Sequence, residues 1–371
     1  MHGQWNGHYQ GTNTGSISVN IDEMLMTYKG VAYVNELNPA LPKTAAFFET
    51  PSKANQQTFT ASIQPVHPIT GIVDNWENIK QHYANNVIIP TLANIDIKHT
   101  KNFLYLKWST NVGTHGGCKL PRTQASAPSN VNSVKMDWAT FKSEVEKLDS
   151  SRPFIFRGQS DKWRLRTAFH RRGRADLNRF IHEDIPTLHR NLSLRTTHLF
   201  DLTVPDQNGA FFNLVQHHGY PTPLLDWTYS PYVAAFFAFN DVDKKKAEKA
   251  KEDECVRIYV FHQKLWCEKY SQIKQLLTSS PHFSILEFLS TNNERMVPQQ
   301  AISSVTNMDD IESYILSKQQ QGDIFLTAID IPKRERSKAM TELQYMGITA
   351  ASLFPGLDGT CADLRERNFR S

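Results

Sequence analysis

The sequence has 371 residues, which at roughly 150 residues per domain points to two domains or three. Hydrophobic residues make up 40% and charged residues 21%, the range of a chain that buries a core, so wholesale disorder is excluded. Lysine and arginine number 41 against 37 acids, a net charge of +4 that by itself singles out no nucleic-acid partner.

Residues 1–14 are polar and glycine-rich, without the basic start and apolar run of a secretory signal. No stretch approaches the ~18–20 apolar residues that span a bilayer. The expectation is a cytoplasmic protein with no membrane partner. Trp5, Gly7, Tyr9 and Gly11 alternate aromatic with glycine. Ile17, Val19 and Ile21 then alternate with Ser and Asn, the period of a half-buried strand. Similar short strands are expected at 30–34, 58–64 and 103–108, with a helix at 76–85 interrupting them. Residues 1–120 therefore read as an all-β domain, a sandwich or a barrel. Residues 115–133 hold no large apolar side chain except Leu120 and Val131, a composition that cannot fold alone. A domain boundary belongs here, with a linker at 121–135.

The second domain, 136–371, reads as α+β. Trp138, Phe141, Val145 and Leu148 share one helical face. Residues 153–157 read as a short buried strand. A helix is expected at 176–191, with Leu177, Phe180, Ile181 and Leu188 on one side. A second, apolar helix is expected at 232–239, and a solvated charged segment at 244–254. Strands follow at 256–261 and 323–329. Cys118, Cys255, Cys267 and Cys361 form no Cys-x-x-Cys pair, which predicts reduced thiols and no metal site.

Two segments can carry chemistry. Phe156-Arg157-Gly158-Gln159 ends the strand at 153–157, where a guanidinium can grip a phosphate or carboxylate through two parallel hydrogen bonds. A buried structural ion pair is the plain alternative. The second segment runs from Gln216 through His217, His218, Gly219, Pro221, Thr222, Pro223, Asp226, Trp227, Thr228 and Ser230 to Pro231. The two prolines flanking Thr222 force a rigid extended turn. Ser230-Pro231 fits a helix start, with Ser as N-cap and Pro in the first turn, and the free N–H groups there suit an anion. A satisfied core histidine or a turn-capping aspartate would be the structural alternatives. The density of these residue types, together with Arg157, favours a functional cleft.

These segments resemble the FRG domain, a family named for a Phe-Arg-Gly signature, here Phe156-Arg157-Gly158. The family's second block, His-x-Gly-x-Pro-Thr-Arg-Leu-Leu-Asp-Trp-Thr, is similar to His217–Thr228, with Pro223 where the family has Arg. A third block is matched by Arg295 and Gln299, although Ala301 and Ser303 stand at its Gly and Phe positions. The stretch 347–359 also resembles the family's ending. The resemblance covers roughly residues 137–365. The order of motifs is similar to that of ADP-ribosyltransferases and implies a core of that kind with NAD as cofactor. It implies that Arg157 holds a pyrophosphate, that Thr228 or Ser230 orients the nicotinamide ribose, and that Glu294 stabilises the transition state. The catalytic candidates are then Arg157, His217, Asp226 and Glu294, with Glu342 a rival carboxylate. The binding candidates are Arg157, Gly158, Gln159, His217, Thr228, Ser230, Arg295 and Gln299. The acceptor would be a nucleic acid or a protein, and the resemblance suggests a toxin or anti-phage effector. Two other classes stand beside this: a non-catalytic module sensing nucleotide or nucleic acid or binding a protein, and a nuclease built on His217, His218, Asp226 and Asp358. The N-terminal β domain would then recognise a protein partner or regulate the second domain.

Charge is unevenly placed. Only Arg122 occurs in the first 151 residues, while 152–195 holds ten arginines and Lys162 against four acids. Within it, Arg164, Arg166, Arg171, Arg172 and Arg174 are the candidates for DNA or RNA contact. The alternative is a solvated face paired with acidic segments such as 244–254. No P-loop, Gly-x-Ser-x-Gly or His-Glu-x-x-His pattern occurs, so nothing supports an NTPase, α/β-hydrolase or zincin.

Overall fold

The computed structural model describes residues 1–149, 151–288, 293–319 and 322–369. Eight strands come first: β1 (Gly3–Gly11), β2 (Thr14–Glu23), β3 (Tyr28–Glu36), β4 (Thr44–Glu49), β5 (Gln56–Pro65), β6 (Leu92–His99), β7 (Phe103–Thr110) and β8 (His115–Pro121). Each pairs with the next, and β1 closes on β8 through Gln10 opposite Gly117 and Gly11 opposite Gly116, which makes a closed barrel. The period-two alternation sends Trp5, Ile17, Val19, Ile21, Phe48, Ile95, Ile97, Leu104 and Leu120 into one core. The barrel alternative is thus the one realised. The expected helix at 76–85 is shorter, Trp76–Ile79 followed by a tight turn at Lys80–His82.

The stretch that reads as linker starts with a strand. β8 is glycine-rich because it crosses its neighbours closely. A Cβ on Gly116 would stand 2.4 Å from the Trp108 ring, and one on Gly11 would stand 2.1 Å from the His115 carbonyl oxygen. Composition alone cannot separate a glycine needed for close approach from a glycine of a loop.

The remainder is α+β. Its sheet holds β9 (Ser133–Lys135), β10 (Ile155–Gln159), β11 (Leu224–Thr228), β12 (Cys255–Phe261), β13 (Phe283–Leu286), β14 (Ala301–Thr306) and β15 (Leu326–Pro332), in the order β13-β14-β11-β10-β12-β15-β9. Only β9 runs parallel to its neighbour, β15, and it too lies inside the expected linker. Helices Trp138–Val145, Pro231–Asn240 and Arg336–Tyr345 cover one face with Trp138, Phe141, Phe236, Phe239 and Leu343, packed on Phe156, Val256 and Ile258. The opposite face packs Trp227, Tyr259 and Phe261 against Trp266, Ile311 and Phe325. Asp137 caps the first of these helices by accepting from the Thr140 N–H at 2.7 Å. Leu148 lies beyond its end and is exposed.

The helix expected at 176–191 is broken into Leu177–Arg179, a wide turn at Phe180–Asp184, and Ile185–Leu192. Pro186 explains the break: it offers no N–H to residue 182, and its ring pushes that carbonyl aside, so the turn before it widens.

The barrel packs on this α+β region. Gln4 of β1 donates to the Asn307 carbonyl at 2.7 Å and accepts from the Asp309 N–H at 3.0 Å. Lys29 of β3 pairs with Glu183. The four cysteines are free. Among the described residues no helix is long and apolar enough to cross a membrane.

Candidate functional site

The site begins where two neighbouring strands part. β10 pairs with β12 over five residues, Ile155 to Gln159, but with β11 through the single pair Phe156–Thr228. Beyond that pair β10 and β11 diverge, and Arg157 bridges the gap: its Nη1 donates to the Asp226 carbonyl at 2.5 Å. Its Nε is buried without a partner. Burial pushes the guanidinium down to about 10, against the pull of Asp226, so it stays charged at neutral pH. Gly158 serves packing. A Cβ there would stand 1.8 Å from the Ala234 carbonyl oxygen, so only glycine lets helix Pro231–Asn240 lie this close to β10. Gln159 continues the ladder opposite Arg257. In the Phe-Arg-Gly triplet, Phe156 fills the core, Arg157 spans the gap, and Gly158 admits the helix.

The helix Pro205–His217 brings the next groups. Thr222, fully buried, donates its hydroxyl to Gln216 Oε1, and Gln216 Nε2 donates to Asp226 Oδ1. The rigid turn at Pro221–Pro223 therefore fixes Gln216, and Gln216 fixes the carboxylate. His217 is half-buried with Nδ1 unpartnered. Its carbonyl accepts from Arg295 Nη1 at 2.7 Å, and the Arg295 guanidinium lies 5.4 Å from the centre of the Phe354 ring. Gln299 is buried; its side chain donates to the Leu353 carbonyl at 2.8 Å. The Thr228 hydroxyl donates to the Gln299 carbonyl at 2.7 Å and accepts from the Ser230 N–H at 3.0 Å. Ser230 Oγ accepts from the Val233 N–H at 3.2 Å, the cap expected of it.

The fold thus gathers Arg157, His217, Asp226, Thr228, Arg295 and Gln299 around β11. Glu294 stands apart: it is exposed, between Asn293, which bonds Asn213, and Arg295, which turns toward His217. Glu342 bonds Trp138 Nε1 at 2.9 Å and pairs with Lys142. His218 and Asp358 are exposed. Among the described residues no group of three or more His, Cys, Asp or Glu could hold a metal ion. Gln216 and Thr222 were missed as site residues. The available signal was a polar residue, Thr222, locked between two prolines five positions after the helix ends at His217.

The arginine stretch is mostly bound internally. Arg164 is buried against Asp310 at 2.9 Å, and Arg166 pairs with Asp309 at 2.5 Å. Arg174 pairs with Asp22 and Asp184. The acids that pair with arginines of the stretch are Asp22, Asp309 and Asp310, far off in sequence, together with Asp184 and Glu183 of the stretch itself, and not residues of 244–254. Arg171 and Arg172 are exposed and make no ion pair among the described residues. Burial and the charge of Arg166 lower the Arg171 pKa, while Asp226 raises it.

The FRG domain family model matches residues 152–247, a span that includes β10, β11 and the helix Pro231–Asn240 but not the barrel. Searches of curated proteins and of solved structures return no match.

Proposed function

Residues 152–247 of this chain are an FRG domain, and we propose that it binds a pyrophosphate-bearing nucleotide of the NAD type in the cleft around Arg157 and Asp226 and transfers its ADP-ribosyl group. One observation carries this reading: a buried guanidinium with an unpartnered Nε stands at the opening between β10 and β11, next to a carboxylate that Gln216 holds in place. Arg157 would grip the pyrophosphate. Asp226 would face the positive charge that grows on the ribose as nicotinamide departs. His217, with Nδ1 free, would exchange a hydrogen bond or proton with the ligand. Arg295, one residue from Glu294, adds a second cation. With Glu294 exposed, Asp226 takes the part that the motif order assigns to a glutamate.

A binding role without turnover is favoured by a different observation. The hydroxyls of Thr228 and Ser230 are engaged in joining β11 to its helix, which leaves them less free to orient a ribose. The experiment is nicotinamide release from NAD by the whole chain. Arg157→Gln and Asp226→Asn are each expected to reduce it by about 10²–10³-fold, and Glu294→Gln to leave it unchanged. NAD binding without release establishes the sensor reading. Absence of both overturns the assignment of NAD.

A further inference from the structure

A cavity of about 250 Å³ lies where the barrel meets the FRG domain. The barrel side brings Arg122, which follows β8, and the FRG side brings Arg166, Arg171 and Arg174, with His170 and Asp309. Asp309 is the one acid among these six, and Arg166 already holds it. Arg174 is held by Asp22 and Asp184. Arg122 and Arg171 are left without a carboxylate among the described residues. Arg122 is positioned by its Nε, which donates to the Lys101 carbonyl at 3.0 Å, and by the Trp5 ring, 4.8 Å from the guanidinium to the ring centre. Its two terminal nitrogens remain to contact a ligand.

His170 is the second observation. It is 0% exposed, and its Nε2 has no partner. Burial lowers its pKa to about 4, so the ring is neutral at pH 7 and carries one N–H. Nδ1 lies 2.7 Å from the Thr167 hydroxyl, which has a proton to donate. With the Thr167 hydroxyl as donor, the ring N–H sits on Nε2, a buried group at the cavity wall with no partner. Unsatisfied buried donors are costly, and their persistence points to an acceptor supplied from outside the chain.

We propose that this cavity is a second anion site, distinct from the Arg157 cleft, and that it takes a small molecule carrying phosphate. The cavity has room for several waters, enough for a pyrophosphate group. Bound there, the anion contacts Arg122 of one domain and Arg171 of the other. It thereby ties the barrel to the FRG domain. Arg171 also shares its electrostatic surroundings with Arg157 and Asp226, so occupancy of the cavity is felt at the cleft. The barrel then acts as the regulatory half of a ligand site. The site does not depend on NAD chemistry at Arg157, and either reading can fail while the other stands.

The test is calorimetric titration of the full chain with inorganic pyrophosphate and, separately, with ADP. Arg122→Gln and Arg171→Gln, both at exposed positions, are each expected to weaken pyrophosphate binding about 10- to 100-fold, and Arg190→Gln, an exposed arginine of the same stretch outside the cavity, to leave it unchanged. Tighter binding of ADP than of pyrophosphate assigns a nucleotide as the natural ligand, and equal binding assigns the phosphate group itself. No binding by the unaltered chain overturns the proposal. So does loss on Arg157→Gln with Arg122→Gln unaffected, which moves the anion to the FRG cleft. Arg122-dependent capture of a single-stranded oligonucleotide with no pyrophosphate binding overturns it in favour of nucleic acid.

Discussion

Arg174 of the FRG domain donates its Nε to Asp22 of the barrel at 2.5 Å. Asp22 is 0% exposed, and its carboxylate receives three further donors: the N–H groups of Ala175 at 2.8 Å and Asp176 at 3.2 Å, and Arg179 Nη1 at 3.2 Å. One barrel side chain thus satisfies two guanidiniums and two backbone amides of the other domain. Asp22 concentrates four donors at one buried carboxylate, beside the separate polar contacts that Gln4 and Lys29 make across the same boundary.

Asp22→Ala leaves the two backbone N–H groups without their acceptor and each guanidinium with a single acid, Asp184 for Arg174 and Glu183 for Arg179. Breaking a buried ion pair by removing one partner costs about 3–5 kcal/mol. The variant is expected to lose that much stability in urea unfolding and to split one transition into two, the barrel and the FRG domain separating. A loss below about 1 kcal/mol with a single transition would show that apolar contacts, not Asp22, hold the two together.

Gly158→Ala tests the packing explanation of the Phe-Arg-Gly triplet. The added methyl would meet the Ala234 carbonyl oxygen at 1.8 Å and the Ala238 nitrogen at 2.7 Å. Both are backbone atoms of a buried helix and cannot swing aside. Overpacking costs about 1–3 kcal/mol, and here the strain falls on the helix that covers β10. A lowered melting temperature is expected. A variant of unchanged stability would return Gly158 to a role in ligand approach.

How much was legible depends on how far apart the partners lie in sequence. Ile17, Val19 and Ile21 announce β2 because β-branched residues alternate with polar ones. β4 escapes because Ala45 and Ala46 are adjacent and both buried, so no alternation is visible. β8 escapes because its glycines imitate a loop. Arg157, His217, Asp226 and Thr228 sit in two short segments, and that the fold brings these segments together was readable there. Glu294 was named by the order of motifs alone, and order cannot say which way a side chain faces: Asn293 bonds Asn213 and Arg295 bonds the His217 carbonyl, while Glu294 is exposed. The arginine stretch misled for another reason. Its partners Asp22, Asp309 and Asp310 lie more than a hundred positions away, and a local charge balance cannot contain them. The direct gain from the fold is the Thr222–Gln216–Asp226 relay, which no spacing rule encodes.

Two buried histidines fix the direction of the pH dependence. Burial lowers both His170 and His282 to about 4, from an ordinary value of 6.5. In the unfolded chain each takes up a proton as pH falls through 6.5, while in the folded chain each resists until about 4. The unfolded state therefore binds more protons in this window, and stability falls as pH drops from about 6.5 toward 4. Each histidine contributes up to about 3 kcal/mol of this loss. Asp176 works the other way. Burial raises it to about 6, so it favours the folded state as the pH falls from about 6 toward 3.8. The two histidines outweigh it, and a net acid destabilisation is expected. His282→Gln should flatten the profile of melting temperature against pH between 6.5 and 4. A profile as steep as before would mean His282 is protonated in the folded chain.

The relay through Gln216 separates positioning from stability. Gln216→Leu removes the donor to Asp226 and leaves the Thr222 hydroxyl without its acceptor, while the backbone contact between Arg157 and the Asp226 carbonyl stays. If Asp226 acts on the ligand, a carboxylate displaced by about 1 Å loses about 10²-fold in turnover. Ligand binding, which rests on Arg157, should change little. The expected result is a fall in kcat for nicotinamide release with KM for NAD nearly constant. Ser230→Ala is the counterpart. It removes only the cap on Val233, should cost about 1 kcal/mol of stability, and should leave kcat and KM as they are. A fall in kcat for Ser230→Ala together with unchanged kcat for Gln216→Leu would reverse the assignment and return the chemistry to the hydroxyl at the helix start.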